Sequence, residues 1–75
     1  MLLTFTEAET KNSISINPKN VVSVFALVKA ATPEMEPYIG KTVIILSNGN
    51  VIVEEGYLDV AGMISGELNQ YWFNN

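Results

Sequence analysis

Residues 41–55 read KTVIILSNGNVIVEE, two apolar runs that meet at Asn48-Gly49. Asn-Gly is the preferred pair for a two-residue type I′ hairpin loop, because both central residues take φ > 0. That loop sets Ser47 opposite Asn50, Leu46 opposite Val51, Ile45 opposite Ile52 and Ile44 opposite Val53. Side chains alternate across a strand. Ile44, Leu46, Val51 and Val53 therefore share one face, and Val43, Ile45 and Ile52 share the other, with Glu54 at its end. Both faces are apolar through the middle, so this hairpin asks to be covered twice by a chain of only 75 residues.

A domain of this size buries only about 60–65% of its unfolded surface, and its core leaves little net stability. Small domains gain more from disulfides, metals or self-association. The chain has no Cys and no His, which removes disulfides and the usual zinc ligands together. Self-association is the route that remains, and 48% hydrophobic residues supply surface for it.

The rest of the chain reads as follows. MLLTFT is β-prone, and EAETKN (7–12) suits a turn. SISIN alternates, with Ile14 and Ile16 to one side and Ser13, Ser15 and Asn17 to the other, as an edge strand with one wet face does. NPKN (17–20) is a turn signal. VVSVFALV (21–28) is apolar on both faces and is expected to be a central, covered strand. Residues 29–41 form a loop with two prolines, long for a small domain and so a candidate for function or motion. From about 57 to 72 the chain reads as a helix, with Tyr57, Ala61, Ile64, Leu68 and Tyr71 as its apolar stripe and Gly56 as N-cap. The fold class expected is α+β: a single domain over 1–75, with a four-stranded, mainly antiparallel sheet and one C-terminal helix packed on one face.

Charge narrows function. Four lysines, no arginine and eight acids give a net charge of −4. Nucleic-acid binding rests on clustered cations that neutralise phosphates, whereas Lys11, Lys19, Lys29 and Lys41 are scattered one per segment. No nucleic-acid role is expected. No apolar run approaches the ~20 residues of a membrane span, and the N-terminal residues lack the basic and apolar regions of a signal peptide. The expectation is a cytoplasmic protein without a membrane partner.

Catalytic motifs are missing. Gly40-Lys41-Thr42 ends like a phosphate-binding loop, but Met35 stands where the first glycine belongs, and a strand follows instead of a helix. Gly62 and Gly66 have the spacing that lets helices approach closely, an argument with force chiefly inside membranes; a solvent-facing helix surface explains them as well. The carboxylates Glu7, Glu9, Glu34, Glu36, Glu54, Glu55, Asp59 and Glu67 show no spacing for acid–base work or a cation loop. No catalytic, cofactor-binding or metal-ligating residue is assigned, and no cofactor is expected. The candidate residues are those of an interface: Val43, Ile45 and Ile52 on the second face, Tyr71, Trp72 and Phe73 at the helix end, and Met35 and Tyr38 in the long loop; the alternative for Trp72 and Phe73 is that the helix continues and they close the bottom of the core. Aromatic side chains suit such a role because they bury much area at low entropic cost.

SISINPKNVVSV followed by KTVIILSNGNVIVEEGYLDVAGMI resembles the FlbD (SwrD) family of small flagellar proteins over roughly residues 13–68. Those chains pass from a strand through an N-P/D-x-x-I turn to a second strand, then a TVI-L-x-x-G hairpin and a C-terminal helix. The resemblance implies that architecture. This chain differs in its longer 29–41 loop and in ending its helix with aromatics where the family tends to be basic. The strand–hairpin–helix order is also similar to the first half of a LytTR DNA-binding domain, although this chain is shorter and acidic. Its general type resembles that of bacteriophage accessory proteins, which bind a host factor or sequester a small signalling molecule between subunits. The function expected is a non-enzymatic interaction or assembly module, homo-oligomeric and bound to a protein partner. The alternative is an oligomer that sequesters a small molecule where the long loops of two copies meet.

Overall fold

The computed structural model describes residues 1–73, with side chains as far as Gly66. Its first unit follows directly from the alternation of Ser and Ile. Strand β2 (Ser13–Ile16) pairs antiparallel with β1 (Leu3–Thr6), setting Phe5 against Ile14 and Leu3 against Ile16. Phe5 and Ile16 are buried while Ser13 and Ser15 stay exposed, the one-sided burial that a period of two predicts. Asn17 then ends the strand. Its side-chain oxygen accepts from the Lys19 N–H at 3.0 Å, capping a 3₁₀ turn over Pro18–Asn20.

Strands β3 (Val21–Ala26), β4 (Thr42–Leu46) and β5 (Gly49–Val53) form an antiparallel meander in the order β3-β4-β5. The strands thus make a two-stranded ribbon and a three-stranded sheet, five strands in two groups, and not the single four-stranded sheet expected. Their separation has a local cause. The 3₁₀ turn at Pro18–Asn20 lies between β2 and β3. On the other side, β1 meets β5 only at its end, where Glu7 bridges Val53 before the chain turns away at Ala8. Two backbone bonds of 2.8 Å join the groups there, from the Ala8 N–H to the Ile52 carbonyl and from the Glu54 N–H to the Thr6 carbonyl.

Two further expectations need correction. Strand β3 is a terminal strand of its sheet, not a covered central one. A register shift between Val21 and Ser23 leaves Val22 without a partner, and a bulged residue of this kind is pushed out of the ladder; Val22 is 68% exposed. The β4–β5 hairpin also turns one residue earlier than the Asn-Gly pair suggests. Leu46 faces Gly49, Ile44 faces Val51 and Val43 faces Ile52, so the loop is Ser47-Asn48. The positive φ, 156°, falls on Gly49, and neither Ser47 nor Asn48 has one. Glycine adopts that φ at no steric cost, which spares Asn48 from a type I′ conformation. Each residue of β4 faces a partner two positions earlier than expected, so strand parity and the content of both faces are unchanged.

Helix α1 (Tyr57–Phe73) begins at Gly56, whose carbonyl accepts the Val60 N–H at 3.0 Å. It buries Val60 and Ile64 into a core of Phe5, Ile16, Ile44 and Val53. Spaced four apart, these two define the buried stripe. It is rotated from the expected one: Tyr57 is largely exposed, and Leu58 is 83% exposed. Leu68 and Tyr71, expected on the stripe, have side chains outside those described. Gly62 and Gly66 face open space, in keeping with a solvent-facing helix surface.

The observed turn makes a test. Asn48→Ala should leave stability within about 0.5 kcal/mol, as at an ordinary surface position. A type I′ turn would instead force the substituted alanine into the left-handed region at a cost of roughly 1–2 kcal/mol. Gly49→Val should destabilise clearly, and urea unfolding of the two variants side by side checks the register.

Candidate interaction surfaces

Two loops and one sheet edge build a groove. In the β1–β2 loop, the Glu7 N–H donates to the Asn12 carbonyl (2.8 Å) and the Lys11 N–H to the Glu7 carbonyl (2.9 Å). Lys11 takes a left-handed φ of 64° to close this turn, and the Thr10 hydroxyl donates to the Glu7 carboxylate at 2.6 Å. The long β3–β4 loop is also folded. Pro33–Tyr38 form a 3₁₀ segment, started by a proline whose fixed φ suits it. The loop closes through the Gly40 N–H to the Leu27 carbonyl (2.8 Å) and the Lys41 N–H to the Tyr38 carbonyl (2.9 Å). These turns bring Glu34, Met35 and Tyr38 across from Glu7 and Glu9. Asn50, Val51 and Ile52 of β5 complete the wall of a cavity of about 320 Å³.

The carboxylates divide sharply by role. Glu54 is held by Lys11 and, at 2.9 Å, by Lys41. Hydrogen bonds from these two ammonium groups lower its pKa below the ordinary 4.5. Glu55 turns to β1, where its oxygens accept from the Thr6 N–H (2.9 and 3.1 Å) and the Thr6 hydroxyl (3.0 Å). The buried Thr42 hydroxyl donates to the Glu55 carbonyl at 2.7 Å. Both acids thus join the ribbon to the sheet, and neither belongs to a site. Glu9 and Glu34 make no hydrogen bond or ion pair with the described residues, and no lysine lines the groove. Among the described residues no cluster of acidic side chains is arranged to hold a metal ion, and no helix is long and apolar enough to cross a membrane.

Of the interface candidates read from the sequence, Met35, Tyr38 and Ile52 come together in this groove. Val43 is 6% exposed and thus covered within the monomer, while Ile45 is half-buried and lies outside the groove. The side chains of Tyr71, Trp72 and Phe73 lie outside those described. Sequence reasoning missed Glu7, Glu9, Glu34, Asn50 and Val51 as groove residues. The polar run 7–12 signalled only a turn, and nothing in it placed that turn against β5. It also missed the apolar surface on and just beyond β3, where Phe25 is 43% and Val28 81% exposed. Family models, curated proteins and solved structures were all compared with the chain, and none matches it.

The Glu54 contacts carry a pH sign. A depressed folded pKa means the pairing favours the folded state above pH 4.5 and is lost as pH falls through the lowered value. Carboxyl titration by NMR should place Glu54 below 4.5, and should return it towards 4.5 in a Lys11→Met/Lys41→Met variant.

Proposed function

We propose that this protein is a non-enzymatic interaction module that self-associates and binds a protein partner. The reading rests chiefly on β3. Natural edge strands are guarded by charge, proline or a bulge, because an unpaired edge is a template for another strand. Residues 21–28 contain no charged residue and no proline. Only the bulge at Val22 interrupts the edge, and it turns an apolar side chain outward.

A second copy suits this edge. At −4 each, two copies repel wherever acidic surfaces meet, and a neutral strand is where they approach at least electrostatic cost. Exposed Val22, Phe25 and Val28 supply apolar area, and antiparallel pairing of β3 with its copy would join two three-stranded sheets into one. The resemblance to small flagellar proteins and to phage accessory proteins is in keeping with such a module.

Light scattering over about a hundredfold dilution tests this, since mass action makes a dimer concentration-dependent. The expected result is a dimer that dissociates on dilution, and a Val22→Lys/Phe25→Lys variant that is monomeric throughout with an unchanged circular dichroism spectrum. A wild-type chain that stays monomeric at the highest concentration would overturn self-association.

A further inference from the structure

We infer that the groove beside β5 receives a short extended segment of the partner protein, which pairs with the β5 edge and sets a lysine or arginine among Glu7, Glu9 and Glu34. This deepens the interaction-module reading and rests on it. The first support is backbone parity. The Ile52 carbonyl accepts from the Ala8 N–H, so it points away from β4. In a strand the N–H and C=O of one residue point to the same side, and residues two apart repeat that direction. The Ile52 N–H and both backbone groups of Asn50 therefore face outward as well. Contact with β1 ends at the Ala8–Ile52 bond, and no other backbone bond among the described residues reaches this stretch of edge. Both backbone groups of Asn50 thus open beside the groove, while the Ile52 N–H, opposite Ala8, makes no backbone bond among the described residues; unpaired edge groups of this kind are what strand addition uses.

Charge selects the occupant. Glu7, Glu9 and Glu34 line the groove beside the apolar atoms of Met35, Tyr38, Val51 and Ile52. No cation balances them there, because Lys11 and Lys41 are engaged with Glu54. A second copy does not suit this surface, since its net charge is −4 and its lysines are scattered. An apolar strand without cations would leave the carboxylates facing apolar side chains. An extended segment that mixes aliphatic and basic residues satisfies backbone edge, apolar wall and acidic rim together. At about 320 Å³ the cavity lies at the small end of ligand pockets, roughly 300–1,000 Å³, so it holds a few side chains of such a segment.

The test uses the full chain labelled for NMR and an end-capped peptide alternating lysine and valine, which can present lysine on either face. Two controls accompany it: the same peptide N-methylated at every residue, which has no N–H on either edge and cannot pair as a strand, and spermine, which is cationic without a backbone. The expected result is shift changes at Asn50, Ile52, Met35 and Tyr38 with the plain peptide alone, and amide exchange at Asn50 and Ile52 slowed roughly tenfold or more. Glu9→Gln/Glu34→Gln should weaken the peptide by roughly tenfold, two lost ion pairs at the upper end of their usual worth, without moving the melting temperature. Four outcomes would overturn the inference. These are equal shifts with spermine, equal shifts with the N-methylated peptide, shifts confined to β3, and groove shifts that depend on protein concentration without peptide, which would make the occupant a second copy. Absence of any shift at millimolar peptide would overturn it too, and would leave self-association through β3 to be judged separately by light scattering.

Discussion

The structure depends on the junction where β5 ends and the β1–β2 ribbon begins. Within four residues, Ile52 to Glu55, the chain accepts the Ala8 N–H, bridges Glu7 through Val53, donates to the Thr6 carbonyl and places two carboxylates on Thr6, Lys11 and Lys41. Without it the ribbon would be an isolated hairpin, and isolated hairpins are marginal in water. Phe5 and Ile16 reach the core only because the ribbon is held there. Most of these polar contacts are local in space but more than forty residues apart in sequence, so they close a long loop. An ordering cost of that kind is offset only when several bonds form together.

The junction also explains how so small a domain tolerates exposed apolar surface. Among the described residues its central core cluster is six side chains, Phe5, Ile16, Ile44, Val53, Val60 and Ile64, drawn from the ribbon, the sheet and the helix alike. Each unit brings two residues, so the core forms only when all three are assembled. Several apolar side chains, among them Val22, Phe25 and Val28 on and just beyond β3 and Leu58 on the helix, are left exposed among the described residues. In a longer chain another element would cover them. Here the folded 33–38 segment brings Glu34, Met35 and Tyr38 beside Ile52 of the second hairpin face and frames a groove with it.

The sequence was legible where one short period decided the outcome. Ser-Ile alternation placed β2, the Asn17-Pro18 pair placed its end, and the parity of residues 43–53 placed both hairpin faces even though the turn sat one residue earlier. It was illegible where the outcome depended on which elements met. VVSVFALV looks central because both of its faces are apolar, yet its place in the sheet is set by the absence of another strand, which no residue within it records. The helix stripe was misread because Tyr57 and Val60 both fit an apolar period, and the core chose the smaller residue. The spacing of Glu54 and Glu55 showed no role for them, since Thr6 and Lys11, through which they hold the ribbon, lie far away in sequence. The groove was missed for the same reason: Glu7 and Glu34 are neighbours only after both loops have folded.

The sheet's two free edges differ in a way that composition alone would hide. One net charge of −4 covers a chain whose β3 edge is neutral and whose β5 edge is flanked by three acids. The edges lie on either side of β4, about 10 Å apart at ordinary strand spacing, so both could be extended within one continuous sheet without collision. Like charges facing each other at an interface suppress the wrong pairing. An acidic chain with two neutral edges could polymerise edge to edge. Acids beside only one of them would limit self-pairing to the other, so that the proposed self-association would give a closed pair and not an open array. On this argument the carboxylates of the groove do more than favour a basic partner: they leave the strand beside them available for it.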